Sequence, residues 1–318
     1  MEENIYQKRP ESMRNEQQKE SHKGISMKRF VPALCWGLLI MAAFLAVQFI
    51  IVIPFAVVIL VRCINESENM TQAMQLYQQA FTNQDLTSWL VLATNLTIAI
   101  VAVIWYRIRD VGHWGIQKLR QTVVSITRLQ TVIRIVGYGF FSYCVANILA
   151  QLVAVVSPSA MEILEQTMNL AMGDMNVFVV LELVLIAPIG EECIFRGLIF
   201  NSLKKRIPIS AAIILQAVLF GLYHMNFVQG IYVIPLAILC AYAVYKTGSV
   251  MAGVLIHAIN NGLSVVASLL PEQFLKDSYF VILLALSSVV CIIFFCMDMR
   301  NKRVEKAQEE REAYHESV

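Results

Sequence analysis

Eight apolar stretches dominate this chain, near residues 30–61, 88–106, 131–156, 177–203, 209–225, 231–245, 249–269 and 279–297. A run of roughly 20 apolar residues, with about 17 as the lower end, is long enough to cross a bilayer. Inside a bilayer each backbone N–H and C=O must find its partner within the protein, and spans of this length meet that demand as helices. The expected fold is therefore all-α, a polytopic membrane protein with about eight transmembrane helices. The sixth stretch is short for a span, and the first is long enough to tilt or to kink at Pro54. With 58% hydrophobic and 15% charged residues, the 318-residue chain is too apolar for a soluble domain.

Charge placement points the same way. No Lys or Arg falls between Arg62 and Arg107, or between Arg134 and Arg196. The basic connections alternate with these gaps: Arg107 to Arg128, then Lys204-Lys205-Arg206, Lys246, and Arg300 to Arg303. Positive loops stay in the cytoplasm, so both termini are expected there, in the plasma membrane if the source is prokaryotic. Arg62 and Lys276 are exceptions at outer ends, where long side chains snorkel. Arg134 is read the same way, reaching the cytoplasmic headgroups. Trp89 and Trp105-Tyr106 bracket the second span as an aromatic belt would. A net charge of +2 gives no reason to expect nucleic acid as a partner.

The organisation read from this pattern is a cytoplasmic tail over 1–29 and N-terminal spans over 30–156. A helical core follows over 177–269, then a last span over 279–297 and a second tail over 298–318. Val111 to Gln130 is amphipathic and fits an interfacial helix on the cytoplasmic leaflet, with a plain solvated connector as the alternative. The outer loop Asn65–Thr87 holds two weak sequons at Asn65 and Asn69. Seven scattered cysteines show neither metal nor redox spacing and read as small apolar residues.

Against this background Glu191-Glu192 stands out, because ionisable side chains are expensive within a span and mark functional sites. His224, His257 and Asn261 interrupt later apolar stretches. Counting from the basic turn at Lys204–Pro208, Glu191 and His224 both lie roughly 20 Å deep at a rise of 1.5 Å per residue. His257 and Asn261 lie roughly 12–18 Å beyond Ser249, so three helices bring these residues to one layer. Glu192 and Arg196 are spaced i,i+4, as are His257 and Asn261, so each pair shares a helix face. Pro188 and Gly190 are placed to break the helix and admit water. Glu182 reads as a packing or interfacial acid outside the site.

The chemistry that fits is a water activated by a carboxylate, with Glu191 as base assisted by a histidine, and Asn261 and the second histidine as donors to a developing oxyanion. No cofactor is favoured. A divalent metal such as zinc is the competing reading, with Glu191, His224 and His257 as ligands, although His-Glu-x-x-His is absent.

Glu191-Glu192-x-x-x-Arg196, Phe220-Gly221-Leu222-Tyr223-His224 and His257-x-x-x-Asn261, in this order, resemble the signature of the CAAX protease and bacteriocin-processing (Abi) family. The resemblance covers roughly residues 187–262. It implies an intramembrane endopeptidase acting on peptides or membrane-associated proteins, with bacteriocin maturation or immunity, CAAX-type processing or surface-protein regulation as settings. It also implies that Glu191 and His224 activate the water, that His257 and Asn261 stabilise the oxyanion, and that Glu192 and Arg196 shape the site. Two rival functions are a non-catalytic scaffold regulating a membrane-protein partner, and a small proton-coupled transporter using Glu191 as its relay.

Overall fold

The computed structural model describes residues 26–110, 126–172, 175–270, 282–298 and 300–301. Among these residues each of the eight apolar stretches is helical, and there is no strand. The helices in chain order are α1 (Met27–Asn65), α2 (Met70–Thr82), α3 (Gln84–Asp110), α4 (Leu129–Val156) and α5 (Pro158–Met172), then α6 over residues 177–203. They continue as α7 (Ile209–Tyr223), α8 (Phe227–Tyr232), α9 (Ile234–Thr247), α10 (Val250–Leu269) and α11 (Ile282–Asp298). Five stretches have the length and hydropathy to cross a membrane: α1, α3, α4, α10 and the α8–α9 pair taken as Phe227–Thr247. The apparent shortness of the sixth stretch is thereby explained. It begins four residues earlier than its apolar run, with Asn226 accepting a hydrogen bond from the Gln229 N–H to start α8.

The exposed and buried faces fit a bilayer better than water. Phe49, Ile50 and Val58 on α1 and Val155 and Val156 on α4 are among many large apolar side chains left uncovered. A soluble protein does not tolerate so much apolar surface. The core lies where α6, α7, α9 and α10 meet, around Phe195, Leu198, Phe200, Phe220 and Ile256. Lipid tails are as apolar as leucine, so close van der Waals approach and internal hydrogen bonds hold such a bundle. Gln216 supplies one such bond, donating across helices to the Ala237 carbonyl at 3.0 Å. Gly221 and Gly230 supply close approach, since a Cβ at Gly221 would collide with the Gly230 carbonyl oxygen.

Several expectations change. The loop over Asn65–Thr87 contains α2, started by Asn69, whose side chain accepts from the Gln72 N–H at 2.9 Å. The second sequon asparagine is thus a helix cap. Trp105 and Tyr106 also serve packing: Trp105 stacks on Phe44 with centroids 5.5 Å apart, and Tyr106 packs over Gly197. Arg134 does not reach out to headgroups. It pairs with Asp298 at 3.3 Å and lies over the Phe294 ring. Asp298, expected in a solvated tail, is buried, and also takes Lys246 at 3.2 Å and the Tyr242 hydroxyl. A lone basic residue near a span end reads as snorkelling because its partner is 164 positions away in the chain. Of the interfacial segment over Val111–Gln130, residues 111–125 lie outside the described residues, as do Lys276 and both distal tails.

Gly221→Ala should cost about 1–3 kcal/mol, the usual penalty for overpacking. Gly262→Ala, whose added methyl would meet its nearest neighbour, Val184, only at 4.0 Å, should be neutral. Thermal unfolding midpoints of the detergent-purified variants check the contrast.

Candidate active site

The site is built on α6, which does not break at Pro188 and Gly190 as expected. It runs on through two π-helical segments, Glu182–Ile186 and Cys193–Phe200, flanking the regular turn Ala187–Glu192. Proline supplies the reason for the first. In the π register the Ala187 N–H reaches the Glu182 carbonyl, and the next donor in line would be residue 188, which has no N–H. The Leu183 carbonyl is left without that donor, and Asn261 on α10 fills the gap, its Nδ2 donating at 2.9 Å. Gly190 lets α3 close in, since a Cβ there would lie 3.1 Å from the Ala99 Cα.

The two glutamates then part company. Glu192 is fully buried beside Arg196, also fully buried, with Arg196 Nη1 2.9 Å from Glu192 Oε1. That approach lies off the hydrogen-bond direction, so the pair is held by charge, and the guanidinium carbon sits 4.7 Å from the centre of the Phe220 ring. The same Glu192 oxygen accepts from His257 Nδ1 at 3.0 Å. Its other oxygen points at the Cα of Gly253, where any side chain would collide with it. Glu191, on the next face of the helix, is 22% exposed and approaches His257 Nε2 at 3.8 Å. His257 therefore bridges the two acids, its Nδ1 committed to Glu192 and its Nε2 turned to Glu191.

Glu191 and His224 line one cavity of about 240 Å³, together with Gln48, Asn95, Ile98, Tyr223 and Met225. His224 ends α7, and its Nδ1 donates to the Phe220 carbonyl at 2.8 Å, which leaves Nε2 as the free ring nitrogen. The chain turns sharply after it at Met225, whose φ of 52° is a left-handed conformation uncommon outside glycine. The Phe220 ring meets His224 and His257 edge-on, at 4.7 and 5.9 Å.

Glu191, Glu192, Arg196 and His257 thus form one contiguous group, with His224 on the same cavity as Glu191. Asn261 stands apart from the cavity lining. One of its amide hydrogens goes to Leu183, and its Oδ1 accepts from Asn260 at 3.1 Å. Asn260 in turn accepts from Ser142 on α4 at 3.0 Å. Among the described residues no three His, Cys, Asp or Glu side chains gather closely enough to hold a metal ion. The set Glu191, His224 and His257 therefore does not fit a metal in this arrangement.

Gln48, Asn95 and Tyr223 were missed in the sequence. Gln48 and Asn95 had a usable signal, as polar side chains within the first and second apolar stretches. Glu182, set aside as a packing acid, is buried and accepts from Asn95 Nδ2 at 2.5 Å.

Arg196→Met should destabilise the protein by about 3–5 kcal/mol, because it leaves Glu192 buried without its cation. The double change Glu192→Gln with Arg196→Met should recover part of that loss. Both appear as unfolding midpoints and as yields of monodisperse protein.

Comparisons with known proteins complete the picture. Neither the curated proteins nor the solved structures gave a match. Residues 173–263 match the family model described as Rce1-like, type II CAAX prenyl endopeptidase Rce1-like, and this segment contains all three motifs from Glu191 to Asn261. The resemblance to CAAX proteases read from the three motifs thus holds over this stretch, which is similar to the Rce1-like, type II CAAX prenyl endopeptidase model.

Proposed function

We propose that this protein is an intramembrane endopeptidase that hydrolyses peptide bonds of peptides or membrane-associated proteins with a water activated by Glu191 and His224. The observation that carries the reading is the shared cavity. A glutamate on one helix and a histidine with a free Nε2 on another face the same space within an apolar bundle. Among the described residues the buried acids Glu192 and Asp298 are paired with cations. Glu191 keeps an exposed face instead.

In this mechanism a water held between Glu191 and His224 Nε2 gives up a proton as its oxygen attacks the scissile carbonyl carbon. The carbonyl π electrons move to oxygen. His257 is assigned to the oxyanion side, and Asn261, which stands apart from the cavity lining but keeps one amide hydrogen beyond its bond to Leu183, is assigned as the second donor there. The tetrahedral centre collapses, the C–N bond breaks, and the abstracted proton passes to the leaving amine. Glu192 and Arg196 do not touch the reacting atoms. Glu192 holds His257 through Nδ1, which fixes the direction of Nε2.

Substrates of the CAAX type, bacteriocin precursors or immunity factors, and surface proteins under regulation by cleavage all belong to this reading. So do two cytoplasmic termini and, in a prokaryotic cell, the plasma membrane. The decisive comparison is of new protein N-termini in membranes holding equal amounts of wild type and Glu191→Gln. Termini formed only by the wild type are expected. No difference would overturn the peptidase reading and favour a scaffold that acts through a membrane-protein partner.

With the purified protein, Glu191→Gln and His224→Ala should each lower kcat by roughly 10²–10⁴-fold, the usual worth of acid–base catalysis. Initial rates on a peptide spanning one of those cleavage sites measure it, with unchanged unfolding midpoints as the control.

A further inference from the structure

We infer that Gln48 and Asn95 form a backbone-binding edge that holds the substrate peptide beside Glu191. The inference rests on the peptidase reading above. Both residues lie outside residues 173–263, on α1 and α3, so they assign a substrate-positioning role to helices that the motifs leave without one.

The argument begins with cost. A carboxamide facing lipid loses its hydrogen bonds to water and recovers nothing. Phe49, Ile50 and Leu96, next in sequence, are exposed on the apolar surface, whereas Gln48 and Asn95 are half-buried on the cavity. Their polarity is spent inward, on the space that Glu191 and His224 also face.

Each is anchored at one atom. Gln48 Nε2 donates to the Tyr223 hydroxyl at 3.2 Å, and Asn95 Nδ2 donates to the buried Glu182 carboxylate at 2.5 Å. A carboxamide has two N–H donors and a carbonyl oxygen. Among the described residues these are the only side-chain hydrogen bonds the two amides make, so each retains one N–H and its oxygen. Glu182 thereby gains a purpose: it holds the Asn95 amide in one orientation.

An extended peptide entering an apolar cavity brings one N–H and one C=O per residue, each stripped of water. A carboxamide is the same chemical group as a peptide link and answers both at once. Two of them on one wall can do for a single stretch of chain what the edge of a sheet does in strand addition. Recognition through the main chain is indifferent to side chains. The cavity, about 240 Å³, is smaller than the roughly 300–1,000 Å³ of pockets that enclose small ligands, so only a short piece of substrate is held.

The test is a double cycle between protein and substrate. The probe is a peptide spanning a cleavage site from the terminus comparison, with each N–H flanking the scissile bond replaced in turn by an ester oxygen. A null result in that comparison already overturns the peptidase reading, and this inference with it. For the full-length wild type in detergent, at least one ester should lower kcat/KM by roughly five- to tenfold. Gln48→Leu or Asn95→Leu should raise KM by a similar factor, with a smaller fall in kcat, and in that variant the same ester should cost less than about twofold. The milder Gln48→Ala and Asn95→Ser answer the same cycle where a leucine variant does not fold. A wild type indifferent to every ester, or ester penalties that persist undiminished in the variants, would overturn the edge while leaving the peptidase standing.

Discussion

Everything near the site leans on one buried carboxylate. Glu192 carries a negative charge where no water reaches it, and the bundle closes around it with a guanidinium at 2.9 Å and an imidazole at 3.0 Å. Such a cluster is seldom a net source of stability, because desolvating the ions costs about what their attraction returns. Its value is geometric. It ties α6 to α10 through His257 and, by way of Phe220 under Arg196, to α7. Those are the helices that carry the two glutamates and the two histidines. The absent side chain at Gly253 belongs to the same arrangement, since it is what lets the carboxylate sit against the α10 backbone.

A second constraint is the irregular course of α6. A proline in mid-helix removes a donor and frees a carbonyl, and in lipid that carbonyl cannot turn to water. Here the helix absorbs the fault as a π turn, and a side chain from α10 closes the account. The link continues from Asn261 through Asn260 to Ser142, so a local defect in one helix becomes a polar seam joining three. π turns of this kind recur at functional sites because they change which side chains share a face. Glu191 and Glu192, adjacent in sequence, end up with opposite duties: one exposed to a cavity, the other sealed in.

Much of this was legible in the sequence, because lipid punishes polarity so heavily that each polar residue within a span carries information. The eight apolar stretches gave eight helical stretches, and the Glu192–Arg196 pairing followed from spacing alone. Partners remote in the chain were not legible. Nothing local to Arg134 announces Asp298, and nothing near Asn95 announces Glu182; only the packing of α3 on α6, or α4 on α11, brings them together. The course of α6 was misread for a related reason. Pro188 and Gly190 signal a break wherever the freed carbonyl has no rescuer, and the rescuer here is 78 residues downstream. Helices in the loops were missed as well, since α2 is too polar for a span and too short to show a firm period.

The ion pairs of Asp298 have a bearing on how the protein is made. Arg134 and Lys246 are translated long before their shared partner, which sits at the end of α11. Until that helix is threaded, two cations wait at the rim of an unfinished bundle without their counter-charge. The nascent chain therefore lacks that counter-charge until α11 has been made, and a product cut short before it holds both cations without Asp298.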